Sequence, residues 1–170
     1  MARILIIAGG ARGRRLACGL LAEGHAVRIT TRSESGRAAI EALGAECWIG
    51  TPDRVASLRY ALDGVTLACW LLGTACGDPQ ELRALHGSRL EFFLGQTIDT
   101  TVRGLLYEAA GSVAKQTLAA GRELVRARTE FNAIPLRVLE ADPRELEAWC
   151  TQASVAVAEL LGEVAVPGDR

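Results

Sequence analysis

Apolar runs and helix-spaced apolar positions alternate along this chain almost to its end. Ile4-Leu5-Ile6-Ile7 is a continuous apolar stretch, and Leu16, Leu20 and Leu21 follow at helical spacing. A run apolar at every position suits a strand buried on both faces, while the 3.6-residue period suits a helix lying on a sheet. Repeated down the chain, the pattern predicts strands near 3–7, 26–30, 46–49, 65–72, 103–108 and 135–139. Between them it predicts helices near 12–23, 34–43, 52–62, 79–99 and 113–131, and a last one near 143–161. Strands that alternate with helices make βα units and a parallel sheet.

Local chemistry supports several of these boundaries. Asp78-Pro79-Gln80-Glu81 and Asp142-Pro143-Arg144-Glu145 each read as Asp at N-cap, Pro at N1 and Glu at N3 of a helix. Thr51-Pro52 is a weaker start of the same kind, and Ser112 is placed to cap the helix after the fifth strand. Gly24, Gly44 and Gly64 stand where a left-handed residue would close a helix before the next strand. Gly87 and Gly95 interrupt the fourth helix, which predicts a bend at His86-Gly87. Phe92 and Phe93 are adjacent on that helix and so face different ways, one onto the sheet and one outward, toward a second copy of the chain. Trp48 and Trp70 read as core.

Six parallel strands joined by right-handed crossovers give a doubly wound α/β sheet in the order 3-2-1-4-5-6, read as one domain over 1–170 without a separate substrate domain. Such sheets bind ligands where the strand order reverses, between the first and fourth strands. Ala8-Gly9-Gly10-Ala11-Arg12-Gly13 sits at that point, after a strand and before a helix. It is one glycine short of G-x-G-x-x-G, because Ala8 stands in the first position. Gly10 would let backbone approach a pyrophosphate, Gly13 would let helix pack on strand, and the helix N-terminus would offer unpaired N–H groups to the phosphates. The dinucleotide candidates are therefore Gly9, Gly10, Ala11, Arg12 and Gly13, with Leu72, Gly73 and Thr74 after the fourth strand.

Composition narrows the picture further. The hydrophobic fraction is 49% and the formal net charge is −1, which leaves no electrostatic footprint for nucleic acid. No apolar run approaches the roughly 20 residues that span a bilayer. Cys18, Cys47, Cys69, Cys76 and Cys150 are odd in number, widely spaced and without a C-x-x-C pair, so they read as reduced thiols of a cytoplasmic protein. With His25 and His86 far apart, no metal site is expected.

The end of the second strand speaks to the ligand. NAD-preferring sites place an acid about 20 residues past the glycine turn, on the ribose 2′-hydroxyl. Here Arg32 and Ser33 occupy that stretch, where a guanidinium and a hydroxyl suit a 2′-phosphate. NADP(H) is therefore favoured over NAD(H). The competing reading makes Arg32 a solvated surface charge.

Taken together, these segments resemble the short-chain dehydrogenase/reductase superfamily, in its extended or atypical branch of NmrA-like and epimerase-like proteins. The resemblance rests on Arg3–Ile7 with the glycine turn, Leu20–Val27, Thr31-Arg32-Ser33, Gly50-Thr51-Pro52-Asp53 with Leu58 and Ala61–Val65, and Arg103–Tyr107. It covers roughly 1–140. It implies that the segment after the third strand meets the adenine ring, at Thr51 where the family has Asp. It also implies that Leu72-Gly73-Thr74 runs beside the nicotinamide ribose.

The departures are as specific as the matches. Reductases of this superfamily use Tyr-x-x-x-Lys, the lysine depressing the tyrosine pKa. Lys115 is the only lysine and Gly111 lies four residues before it, while Tyr60 and Tyr107 are each followed four residues later by glycine. The serine expected after the fifth strand is replaced by Glu108-Ala109-Ala110-Gly111, with Ser112 just beyond as a displaced substitute if it is not the cap of the next helix. Other groups with usable chemistry are His86, as a proton donor near the reactive end, and Glu108, as a base or hydroxyl-binding group. Against these stand a buried histidine and a carboxylate attracted to a helix N-terminus. Cys76 lies in the loop after the fourth strand, with no base beside it.

Two functions follow, and a third stays open. The first is a dinucleotide-binding or redox-sensing module that prefers NADP(H) and forms a homodimer through the helix near 79–99. The second is a small oxidoreductase or epimerase-like enzyme with non-standard catalytic residues and a small-molecule substrate. The third is a degenerate domain with a structural role.

Overall fold

The computed structural model describes residues 1–8 and 10–165. Gly9, one of the expected cofactor residues, lies outside the described residues. Among the described residues six strands, β1 (Arg3–Ile7), β2 (Ala26–Thr31), β3 (Glu46–Ile49), β4 (Leu67–Trp70), β5 (Gly104–Glu108) and β6 (Leu136–Leu139), form one sheet. Every pairing is parallel and the order is β3-β2-β1-β4-β5-β6, as the alternation predicts.

The helices are α1 (Ala11–Ala22), α2 (Arg37–Glu41), α3 (Pro79–Leu85), α4 (Ser88–Thr97), α5 (Lys115–Phe131) and α6 (Leu146–Ala165), with 3-10 turns at Glu34–Gly36 and Val55–Leu62. Neighbouring residues of β1 supply opposite faces of the sheet. Ile4 and Ile6 pack with Leu16, Leu20 and Ile40 of α1 and α2, and with Trp149, Val157 and Leu160 of α6. Leu5 and Ile7 pack instead with Leu58, Leu85, Phe93 and Val125, beneath the Val55–Leu62 turn and α3 to α5. Both faces are covered, which is why β1 and β4 carry no polar alternation.

Several expected boundaries hold and several move. Asp78 caps α3, its carboxylate accepting from the amides of Gln80 and Glu81 at 2.9 and 3.0 Å. Gly24, Gly44 and Gly64 all take positive φ, as helix-closing residues should. The helix expected over 79–99 divides at His86-Gly87, while Gly95 lies inside α4 without breaking it. Phe93 is buried and Phe92 exposed.

The helix expected over 52–62 is a 3-10 turn starting only at Val55, and that over 34–43 shrinks to α2 behind a 3-10 turn. Both segments are short and uncapped by side chains, so tertiary packing decides their winding. Asp142 does not begin α6: it bonds the amide and guanidinium of Arg144 in a turn, and the helix starts four residues on. Ser112 does not cap α5, whose N-cap is Ala114. Trp48 is only half-buried, because β3 is an edge strand.

Candidate functional site

The carboxyl ends of β1 and β4 open onto the glycine turn, where the strand order reverses. Ala8 takes φ 138°, a conformation that L residues other than glycine avoid. This explains physically why the usual motif has glycine there. Gly13 fills its expected role, since a Cβ on it would run into the Ala8 carbonyl oxygen. Gly10 is the N-cap of α1, extended at φ −69° and ψ 176°, with no side chain capping the helix and no acid in its first turn. A Cβ on Gly10 would meet open space. The amides of Ala11, Arg12 and Gly13 have no carbonyl four residues back within the helix. Backbone donors, an open approach and the positive end of a 12-residue helix suit a diphosphate. The turn therefore fits the group that the fold implies.

Arg12 leaves this turn sideways. Its Nη1 donates to Thr74 Oγ1 at 2.9 Å and its Nη2 to both oxygens of Glu108 at 2.9 and 3.1 Å. The guanidinium lies 5.1 Å from the Trp149 ring, within cation–π range. Glu108, at the carboxyl end of β5, is 0% exposed. It also accepts from Trp149 Nε1 at 2.8 Å and from the Gly73 amide at 2.7 Å. A buried carboxylate normally needs a counter-charge and filled lone pairs, and this one has both. Sequence reasoning singled out Arg12 and Glu108 separately and missed the pair. Trp149, 137 positions from Arg12 in the numbering, gave no local signal of belonging to it.

The loops beyond β4 and β5 are stitched together. Val113 donates its amide to the Gly73 carbonyl at 3.0 Å, and a Cβ on Gly73 would strike the Ala110 carbonyl oxygen. Behind them His86 is 1% exposed. Its Nε2 lies 3.2 Å from the Leu72 carbonyl and its Nδ1 2.8 Å from the Tyr107 hydroxyl. A carbonyl only accepts, so Nε2 carries the proton and Nδ1 is left to accept from the Tyr107 hydroxyl, whose one proton is shared with the Leu118 carbonyl at 3.3 Å. Burial pushes the His86 imidazole down to about 4 and the Tyr107 phenol up. The structure thus places His86 in the core rather than on the crevice wall, because the bend at Gly87 turns it inward beneath β4.

At the other end of the crevice the groups are exposed. Arg32 is 70% exposed and pairs with Asp53 at 3.1 Å. Asp53 also accepts from Thr51 Oγ1 and pairs with Arg89. The Thr51 amide is bonded to Ser57 Oγ, and Ser33 Oγ lies 2.7 Å from Ser35 Oγ. The structure therefore gathers the glycine turn, Leu72–Thr74 and Glu108 at one point, with Arg32, Ser33 and Thr51 grouped separately beyond β2 and β3. A cavity of about 1130 Å³ lies elsewhere, between the Val55–Leu62 turn and α4, and none of these site residues lines it. Cys76 is exposed, all five cysteines are free, and no cluster of metal-ligating side chains occurs among the described residues. Among the described residues no helix is long and apolar enough to cross a membrane.

No protein-family model matches the chain, and no curated protein matches it by sequence. Solved structures do match in shape. A short-chain dehydrogenase/reductase superfamily protein from Agrobacterium tumefaciens with bound NAD superposes with a TM-score of 0.67 at 21% identity, over 81% of this chain and 48% of that one. Vestitone reductase from alfalfa gives 0.67 at 14%, over 82% and 56%. Triphenylmethane reductase from Citrobacter sp., complexed with NADP(H), gives 0.63 at 19%, over 81% and 48%. The chain spans about half the length of these proteins. What it shares with them is the fold, a doubly wound parallel α/β sheet of Rossmann type.

Proposed function

We propose that this protein binds a nicotinamide dinucleotide, NADP(H) in preference to NAD(H), as a binding or sensing module. The observation that carries the proposal is the first turn of α1. It is uncapped by any side chain and free of acids, and it is open above Gly10 at the reversal point of the sheet. Gly10, Ala11, Arg12 and Gly13 would hold the diphosphate through their backbone, and Arg32 with Ser33 would meet the 2′-phosphate. Arg32 would exchange Asp53 for that phosphate at little expense, because an exposed ion pair is worth only about 0–1 kcal/mol. A bound nicotinamide would supply hydride chemistry. This chain has no Tyr-x-x-x-Lys pair to serve it, and both His86 and Glu108 spend their polar atoms on internal bonds. That favours binding over turnover. Phe92, more than half exposed on α4, supports a second copy docking along α3 and α4.

Calorimetric titration with NADPH, NADP, NADH and NAD tests the proposal. The 2′-phosphorylated pair should bind about tenfold more tightly, the worth of roughly one charge-assisted hydrogen bond. Arg32→Ala should erase that preference while leaving NAD(H) affinity alone. Absence of binding by all four would end the proposal, and equal weakening of NAD(H) would remove the 2′-phosphate role.

A further inference from the structure

Arg12 belongs to the turn proposed to hold the diphosphate, yet its charge is spent elsewhere. Both Nη atoms are engaged, by Thr74 and by the two oxygens of Glu108, while Nε is buried without a hydrogen-bond partner. Glu108 has no exposure and, among the described residues, no other counter-charge: its remaining bonds come from an indole and a backbone amide. Removing the guanidinium would strand a buried anion, which is the expensive direction. A guanidinium mounted on a phosphate-binding turn and freed of its carboxylate would turn to the phosphates, which its fork matches as it matches a carboxylate.

We infer that Glu108 is a positioning residue that withholds Arg12 from the ligand's diphosphate, leaving the phosphates to backbone amides and limiting affinity. Thr74 is the second anchor of the withheld guanidinium, and Trp149 braces Glu108 from α6. The inference rests on the dinucleotide reading above. It makes the buried pair a restraint on that site, where a merely structural pair would leave ligand affinity unmoved or weaken it.

NADPH titrations at several salt concentrations separate these cases. Glu108→Gln removes the charge that holds Arg12. It should tighten NADPH about tenfold and steepen the salt dependence, because one more cation then faces the phosphates. Thr74→Val loosens Arg12 without touching the buried carboxylate and should tighten binding about twofold to threefold by the same logic. Thermal unfolding of each variant identifies any that fails to fold, and Thr74→Val then decides the matter.

Tightening by Glu108→Gln and Thr74→Val, with a steeper salt slope, supports the inference. Parent binding with no tightening in either variant overturns it alone. No binding by the parent or any variant overturns the dinucleotide reading itself.

Discussion

Two arginine–carboxylate pairs stand at opposite ends of this site at nearly the same separation. Arg12 meets Glu108 at 2.9 Å and Arg32 meets Asp53 at 3.1 Å. Their surroundings differ completely. The side chains of the first pair are 19% and 0% exposed, those of the second 70% and 37%. Distance therefore says little about what each pair does. In the exposed pair, water and salt screen the attraction, and either partner can leave for a ligand. In the buried pair, each charge is the condition for the other being tolerated. One is a replaceable contact and the other a fixed strut. The crevice thus joins an exchangeable end beyond β2 and β3 to a locked end at β4 and β5.

Truncation is the most direct way to break this comparison. Arg12→Ala strands Glu108 in the core and should lower unfolding free energy by about 3–5 kcal/mol, read by urea denaturation. A loss under 1 kcal/mol would show the two pairs to be equivalent.

The locked end also carries a pH signature through His86. Its imidazole is held down to about 4 by burial, against an ordinary histidine value of about 6.5. As pH falls from about 6.5 to 4, the unfolded chain takes up the proton first. Stability is therefore full above about pH 6.5 and declines by about 3 kcal/mol toward pH 4. Denaturation curves across that range, compared with those of His86→Asn, isolate the effect. A variant that loses stability just as steeply would place the acid sensitivity elsewhere.

The turn between the two ends holds strain of its own. Ala8→Gly should relieve the positive φ and raise stability by about 1 kcal/mol after the entropy of the more flexible unfolded chain is subtracted. A lower melting temperature would count against a strained Ala8. The smallest effect belongs to the exposed end. Arg32→Ala should change stability by less than about 1 kcal/mol while altering ligand choice. A large loss of stability there would make Arg32 structural.

Much of this architecture is legible in one dimension. The apolar runs of β1 and β4, the helix-period leucines of α1 and the closing glycines Gly24, Gly44 and Gly64 place the first four strands within a few residues, because each is a local preference repeated in register. The weakly determined segments were the ones that moved. Val55–Leu62 winds as a 3-10 turn, and α6 begins after Asp142 has closed a turn with Arg144. Local propensity there is too shallow to resist the packing.

The site divides the same way. The sequence by itself determined the α/β alternation, the strand order through the handedness of crossovers, the glycine turn with its missing first glycine, and the lack of a Tyr-x-x-x-Lys pair. Only the tertiary structure decided that Arg12 turns from its own loop toward Glu108, that Trp149 from α6 completes the bracket, and that His86 faces Leu72 and Tyr107 in the core. The physical reason is range. Capping, periodicity and turn preferences act over a few neighbouring residues, whereas a buried charge takes whichever partner the fold delivers, here from 96 positions away.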